Sequence, residues 1–185
     1  MVTIRNERPA DAAAGEALLD RAYGAARHAK PSQKLREGRL PADGLSLVAL
    51  DNGVIVGTLR LWHVNAGAAR PALLLGPLAV HPDWRNRGIG SALMRRALRL
   101  ASLHGHGAVL LVGDASYYGR FGFSATTTIG LRMSGQHDPT RLLGLELRPG
   151  ALEAAQGLIV ATGARAAARA PVTVGRDRLR VSHAA

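Results

Sequence analysis

Cysteine is missing from the 185-residue chain, which excludes disulfides, thiolate metal sites and cysteine nucleophiles. Lysine is nearly missing too. Lys30 and Lys34 are the only two, so the basic residues are almost all arginine. Neither lysine follows a glycine-rich turn, and this removes the P-loop. Aromatic residues make up only 4%, so the core must be aliphatic and alanine-rich. No row of aromatics is available to stack bases along a basic groove. No apolar run approaches the ~20 residues of a membrane helix, and Met1 to Glu7 lacks the apolar centre of a signal peptide. A cytoplasmic protein with no membrane partner is expected. There is no G-x-S-x-G elbow. Only His104 and His106 among the seven histidines are close together, with no carboxylate cluster beside them, so no metal is expected.

What is present fits one domain: the chain is of ordinary domain length and 47% hydrophobic. The net charge of +11 could draw nucleic acid or acidic ligands, and a broad Ala/Arg/Gly bias would also produce it. No nucleic-acid motif accompanies the charge, so nucleic acid is not an expected partner.

The stretch from Ala72 to Met94 organises the rest. Leu73 to Val80 is an apolar run suited to a buried strand. Gly76-Pro77 interrupts it. Proline removes a ladder donor and glycine favours a bulge, so the strand is expected to splay and leave backbone groups unpaired. Pro82 and Asp83 stop the strand, and a helix is expected from Ser91 to about Leu103. Between them lies Arg85-Asn86-Arg87-Gly88-Ile89-Gly90. Two glycines, two arginines and a helix N-terminus form a cradle for an anion such as phosphate. The dinucleotide fingerprint would need a third glycine where Leu93 stands. The pattern R-x-x-G-x-G after a strand and V-x-P resembles the acetyl-CoA pyrophosphate loop of the GNAT superfamily of N-acyltransferases.

Along the chain, Val2 to Arg5 reads as a strand and Ala12 to Tyr23 as a helix. Gly24 to Gly44 is irregular, with a short helix capped by Ser32. Leu45 to Leu50 and Val54 to His63 form a hairpin through Asp51-Asn52-Gly53. After the central helix comes a buried strand, Ala108 to Val112, expected to run parallel to the interrupted one. Ser124 to Met133 and Leu142 to Leu147 read as two further strands. From Thr162 the composition turns basic and repetitive. This gives a domain over 1–160 and a tail over 161–185 that is mobile or docked on a partner.

Two of the three tyrosines and both phenylalanines fall within Tyr117 to Phe123. Tyr118, Gly122 and Phe123 match the Y-x-x-x-G-F of GNAT enzymes. The variant G-D-x-x-Y-Y-x-R-F-G-F, with G-P-L-A-V-x-P upstream, is similar to a bacterial subgroup of predicted acetyltransferases. The resemblance implies a mixed α/β fold whose central, mostly antiparallel sheet holds a splayed strand between flanking helices. It implies acetyl-CoA as co-substrate, held by the main chain of Leu78, Ala79 and Val80 and by Arg85, Asn86, Arg87, Gly88, Ile89, Gly90 and Ser91. It implies acetyl transfer to a primary amine, small molecule or peptide, by direct attack through a tetrahedral intermediate. A backbone N–H near Val80 would serve the oxyanion. Tyr118 would be the general acid, since a phenol's pKa of ~10 is close to that of a thiol, with Tyr117 the alternative. No base is evident. His63 is the nearest titratable candidate, and His28, Lys34, Arg36, Glu37 and Arg39 flank the expected acceptor site. A non-catalytic acyl-CoA-binding or sensor module on the same fold is the other reading. A homodimer is compatible with either.

Overall fold

Gly57 and Thr58 are neighbours in one long strand, and they meet different helices. A Cβ on Gly57 would lie 3.0 Å from Leu93 and 3.1 Å from Ile89, while Thr58 lies under Gly15. Alternate residues of a strand face opposite sides of the sheet. The two helices therefore cover opposite faces, and the sheet between them is buried on both. This is why its central strands read as continuous apolar runs rather than as alternating ones.

The computed structural model describes residues 1–135 and 138–167. The chain runs β1 (Thr3–Asn6), α1 (Ala12–Tyr23), α2 (Pro31–Lys34), β2 (Ser46–Asp51), β3 (Val54–Asn65), β4 (Pro71–Val80), α3 (Ile89–Leu103), β5 (Ala108–Val112), α4 (Ala115–Tyr118), β6 (Leu131–Arg132), β7 (Leu142–Glu146), β8 (Gly157–Leu158) and β9 (Val160–Ala161). The main sheet has the order β1-β2-β3-β4-β5-β7, and β9 extends it along the end of β3. All its pairings are antiparallel except β4 with β5. Mixed α/β architecture with a mostly antiparallel sheet is thus what the chain adopts.

The core is aliphatic, as the shortage of aromatics requires. Leu47, Leu59, Leu61, Leu73, Leu93 and Met94 are sealed on the α3 face. Trp62, Val64, Leu74 and Leu110 sit on the other. Asn52 and Gly53 carry φ of 47° and 81°, the left-handed pair that an Asn-Gly hairpin turn uses.

Three local readings need correction. The segment Ser124–Met133 is not one strand. A 3-10 turn occupies Thr126–Thr128, and only Leu131–Arg132 is extended. The threonine hydroxyls bond nearby carbonyls, with Thr127 reaching Ser124 and Thr128 reaching Ala125 and Leu142. Such local bonds compete with a ladder. Helix α3 starts at Ile89, two residues before Ser91, because Gly88 takes a left-handed φ of 76° at the cap and buries Ile89 against the sheet. The short helix α2 is preceded by Lys30, not capped by Ser32, and Pro31 fills its first position. In the region expected to be tail, β9 pairs with β3, and Leu40 N–H bonds the Ala164 carbonyl. Residues 168–185 of that tail lie outside the described residues. Among the described residues no helix is long and apolar enough to cross a membrane.

Candidate active site

Strands β4 and β5 stay paired only at Leu73–Val109 and Leu74–Leu110. The interruption at Gly76-Pro77 is where they part. Opposite it, the β3–β4 register jumps between Leu59 and Leu61, the bulge anticipated from the glycine and proline. The indole Nε1 of Trp62 donates to the Gly76 carbonyl at 2.6 Å and pins the bulge. A wedge opens beyond this point. It leads into a cavity of about 430 Å³ bordered by Leu78, Val80, Gly90, Val112, Tyr117 and Tyr118.

The backbone of β4 along the wedge can be assigned residue by residue. His81 N–H donates to the Val56 carbonyl, and the register sets Ala79 opposite Thr58 and Val80 opposite Gly57. In an antiparallel ladder, directly opposed residues alternate between bonded and non-bonded pairs. Ala79 therefore spends its N–H and C=O on β3, while Leu78 and Val80 face the wedge. The Leu78 carbonyl already accepts the hydroxyl of Tyr23. Of the three residues expected to offer main chain to a cofactor, Ala79 is turned away, Leu78 keeps its N–H, and Val80 keeps both groups.

One mouth of the wedge is the first turn of α3. Its leading N–H groups, from Ile89 to Ser91, have no intrahelical acceptor. Nothing lies within 4 Å of where a Gly88 side chain would begin. Arg85, Asn86 and Arg87 are exposed around it, and Asn86 also takes a positive φ of 61°. The loop is anchored from behind. Trp84 Nε1 donates to Asp51 Oδ2 at 3.1 Å, and the Trp84 ring meets His81 edge-on. Arg87 lies 5.9 Å from the Trp84 ring. Free N–H groups, open backbone and two arginines suit a pyrophosphate.

The other end carries the tyrosines. Asp114 caps α4 by accepting from Ser116 N–H at 2.9 Å, and this sets both phenols. Tyr117 reaches back to α3, its Oη 3.3 Å from where a Gly90 Cβ would stand. Tyr118 packs inward, edge-on to Phe123 and against Gly113, where a Cβ would come within 2.2 Å of its ring. Burial pushes the Tyr118 phenol up to about 12; Tyr23 and Tyr117 add to this and Arg141 opposes it.

The remaining wall comes from α1, α2, the segment between them and the turn that follows α2. Tyr23, Arg27, Lys30, Gln33 and Arg36 line it, joined by Arg141 from ahead of β7. Of the residues expected to flank an acceptor, only Arg36 does so; His28, Lys34, Glu37 and Arg39 do not border the cavity. Tyr23, Arg27, Lys30 and Arg141 were not anticipated. Tyr23 had one cue, as the sole tyrosine outside the aromatic cluster. Arg141 had none. His63 is also out of place as a base. Its ring packs on His106 at 5.4 Å and its carbonyl accepts from Thr162 and Gly163, outside the cavity lining.

A profile described as the acetyltransferase (GNAT) domain matches residues 42–125. The chain is 34% identical over 134 residues to the uncharacterised N-acetyltransferase YhbS of Escherichia coli K12, covering 70% of this chain and 77% of that protein. It superposes on the crystal structure of E. coli YhbS in complex with CoA with a TM-score of 0.74, at 31% identity, over 87% of this chain and 89% of the other. It also superposes on a GNAT family acetyltransferase from Brucella melitensis in complex with acetyl-CoA, with a TM-score of 0.67 and 29% identity, over 88% and 96% of the two chains. With the wedge, the glycine turn and the tyrosine pair in the order that the sequence suggested, these likenesses place the chain in the GNAT family of N-acetyltransferases, and it is an acyltransferase.

Proposed function

We propose that the chain moves an acetyl group from acetyl-CoA to a primary amine that attacks it directly. The observation that carries this reading is the wedge between β4 and β5, with an anion cradle at one mouth and a buried phenol at the other. Two structural relatives that share the fold over most of their length were solved with CoA or acetyl-CoA.

Acetyl-CoA would supply an activated acyl group as a thioester. The residues that would hold it are Arg85, Asn86, Arg87 and the N–H groups of Gly88 to Ser91 for the phosphates, with Leu78 and Val80 for the arm. The Val80 N–H is the donor oriented to stabilise negative charge developing on the acyl oxygen. Tyr118, protonated at neutral pH, would give its proton to the departing sulfur and take back the proton that the amine nitrogen sheds. The positive charges of Lys30, Arg36 and Arg141 disfavour an ammonium and favour the free amine that attack needs.

Calorimetric titration with acetyl-CoA tests the cradle. Arg87→Glu is expected to weaken binding by ~10-fold or more at low salt and by less at high salt, since exposed charges are screened. Equal affinity in variant and parent at low salt would remove Arg87 from the cradle. A panel of amines then tests transfer.

A further inference from the structure

Arg36 is only 9% exposed. Its Nε donates to the Ser32 carbonyl at 3.1 Å and its Nη2 to the Ser32 hydroxyl at 3.3 Å. Among the described residues, no carboxylate pairs with it. The acid whose charge reaches it, the half-exposed Glu16, is committed elsewhere, giving one oxygen to Arg60 and the other to Arg27. Nη1 has no partner among the described residues and lies 3.8 Å from where a Gly76 Cβ would stand, at the root of the wedge. Buried charges are normally paired. Here burial pulls the guanidinium down, and Arg27 adds to the effect. The same cavity is bordered by Lys30 and Arg141, and by Arg27, which Glu16 and Asp20 already pair; the one carboxylate on its lining, Asp114, accepts from Ser116.

We infer that the acceptor amine carries an anionic group, a carboxylate or a phosphate monoester, and that Arg36 binds it. This rests on the acetyl-transfer reading for the word acceptor, but the anion site itself stands on Arg36. The guanidinium edge left free by Ser32 supplies the charge-assisted bonds. Lys30, whose ammonium sits 4.7 Å from the Tyr23 ring centre, adds a second positive charge at the rim. An anion seated there would neutralise a buried cation that the protein leaves uncompensated. It would also orient the amine at the far end of the acceptor toward the wedge. Arg36 is then a specificity-determining residue.

The test needs no turnover. The CoA-loaded full chain is titrated by calorimetry with N-acetylphenylalanine and N-acetylleucine, each against its carboxamide, and with N-acetylphosphoethanolamine against N-acetylethanolamine. The anionic member of at least one pair is expected to bind ~10- to 100-fold tighter. Arg36→Gln should bring that ratio close to one, and Arg36→Lys should keep part of it, while CoA affinity stays unchanged in both. Whichever pair discriminates says whether the anion is carboxylate or phosphate. Equal binding within all three pairs, or discrimination that survives in Arg36→Gln, overturns the inference. Failure of the chain to bind CoA would instead overturn the acetyl-transfer reading, and the same pairs titrated on the free chain would still report on Arg36.

Discussion

Replacing Tyr118 by phenylalanine should lower the turnover number ~10- to 1000-fold and leave acetyl-CoA affinity nearly unchanged. The substitution removes one oxygen and keeps the ring. That ring fills the space over Gly113 and meets Phe123 edge-on, so the variant should retain its fold and its packing. A loss in kcat without a matching loss in binding marks a group used only in the chemical step. Tyr117→Phe is the paired control. Its hydroxyl lies against the first turn of α3, so any effect should fall on cofactor binding. If Tyr118→Phe turns over as fast as the parent, the proton to sulfur comes from elsewhere.

The pH profile adds an independent check on the same residue. Burial holds the Tyr118 phenol near 12, so the acid keeps its proton until pH rises through that value. The turnover number should climb as the acceptor amine deprotonates and then stay level through pH 10. Arg36 also holds its proton: burial pulls its guanidinium down, but an arginine side chain keeps its charge through pH 10. For an anionic acceptor, kcat/KM should therefore stay level with kcat through that range. A fall in kcat between pH 8 and 10 that Tyr118→Phe abolishes would contradict the assignment.

The wedge was legible in the sequence because its causes are local. Gly76-Pro77 inside an apolar run breaks a ladder wherever it occurs, and Gly88 before Ile89 begins a helix with its N–H groups exposed. The aromatic cluster was visible for a compositional reason, since a chain with so few rings had gathered four of them in seven positions. The cationic wall was not legible. It joins residue 27 to residue 141, and Arg36 points inward only because Ser32 holds its other edge. The Ser124–Met133 segment looked extended because its β-branched residues favour strands. Threonine hydroxyls bonding local carbonyls reversed that preference, a choice made by hydrogen bonds that composition does not show. For Ala79, the sequence identified the right strand, but only the register with Thr58 revealed which way its amide points.

Arg60→Met should lower the unfolding free energy by about 3–5 kcal/mol. Arg60 lies on β3 under α1 and is 8% exposed. It holds Glu7 through two bonds, at 2.7 and 2.5 Å, and Glu16 through a third at 2.6 Å. Glu16 passes the contact on to Arg27, which also binds Asp20 at 2.7 Å. Burial alone would pull the Arg60 guanidinium down, but the bonds from Glu7 and Glu16 outweigh it and raise it. Removing the arginine leaves the Glu7 carboxylate, whose side chain is 9% exposed, enclosed without its partner. The cost is that of an unpaired charge rather than of lost attraction, so Arg60→Met combined with Glu7→Leu should recover much of the stability. Glu16 sets the pH dependence. Burial raises its acid, but the bonds from Arg60 and Arg27 bring it below its ordinary value. Its contribution is therefore present at neutral pH and fades as pH falls through the lowered value. In Arg60→Met, that acid-side loss should shrink. Urea midpoints measured from pH 3 to 7 give both quantities, and a shift below about 1 kcal/mol, typical of a surface pair, would show that the network stabilises little. The same variant reaches the site, because Glu16 and Arg27 tie α1 to the cavity wall. Acceptor KM should rise with the loss of stability while acetyl-CoA binding, built on α3 at the other mouth, stays in place.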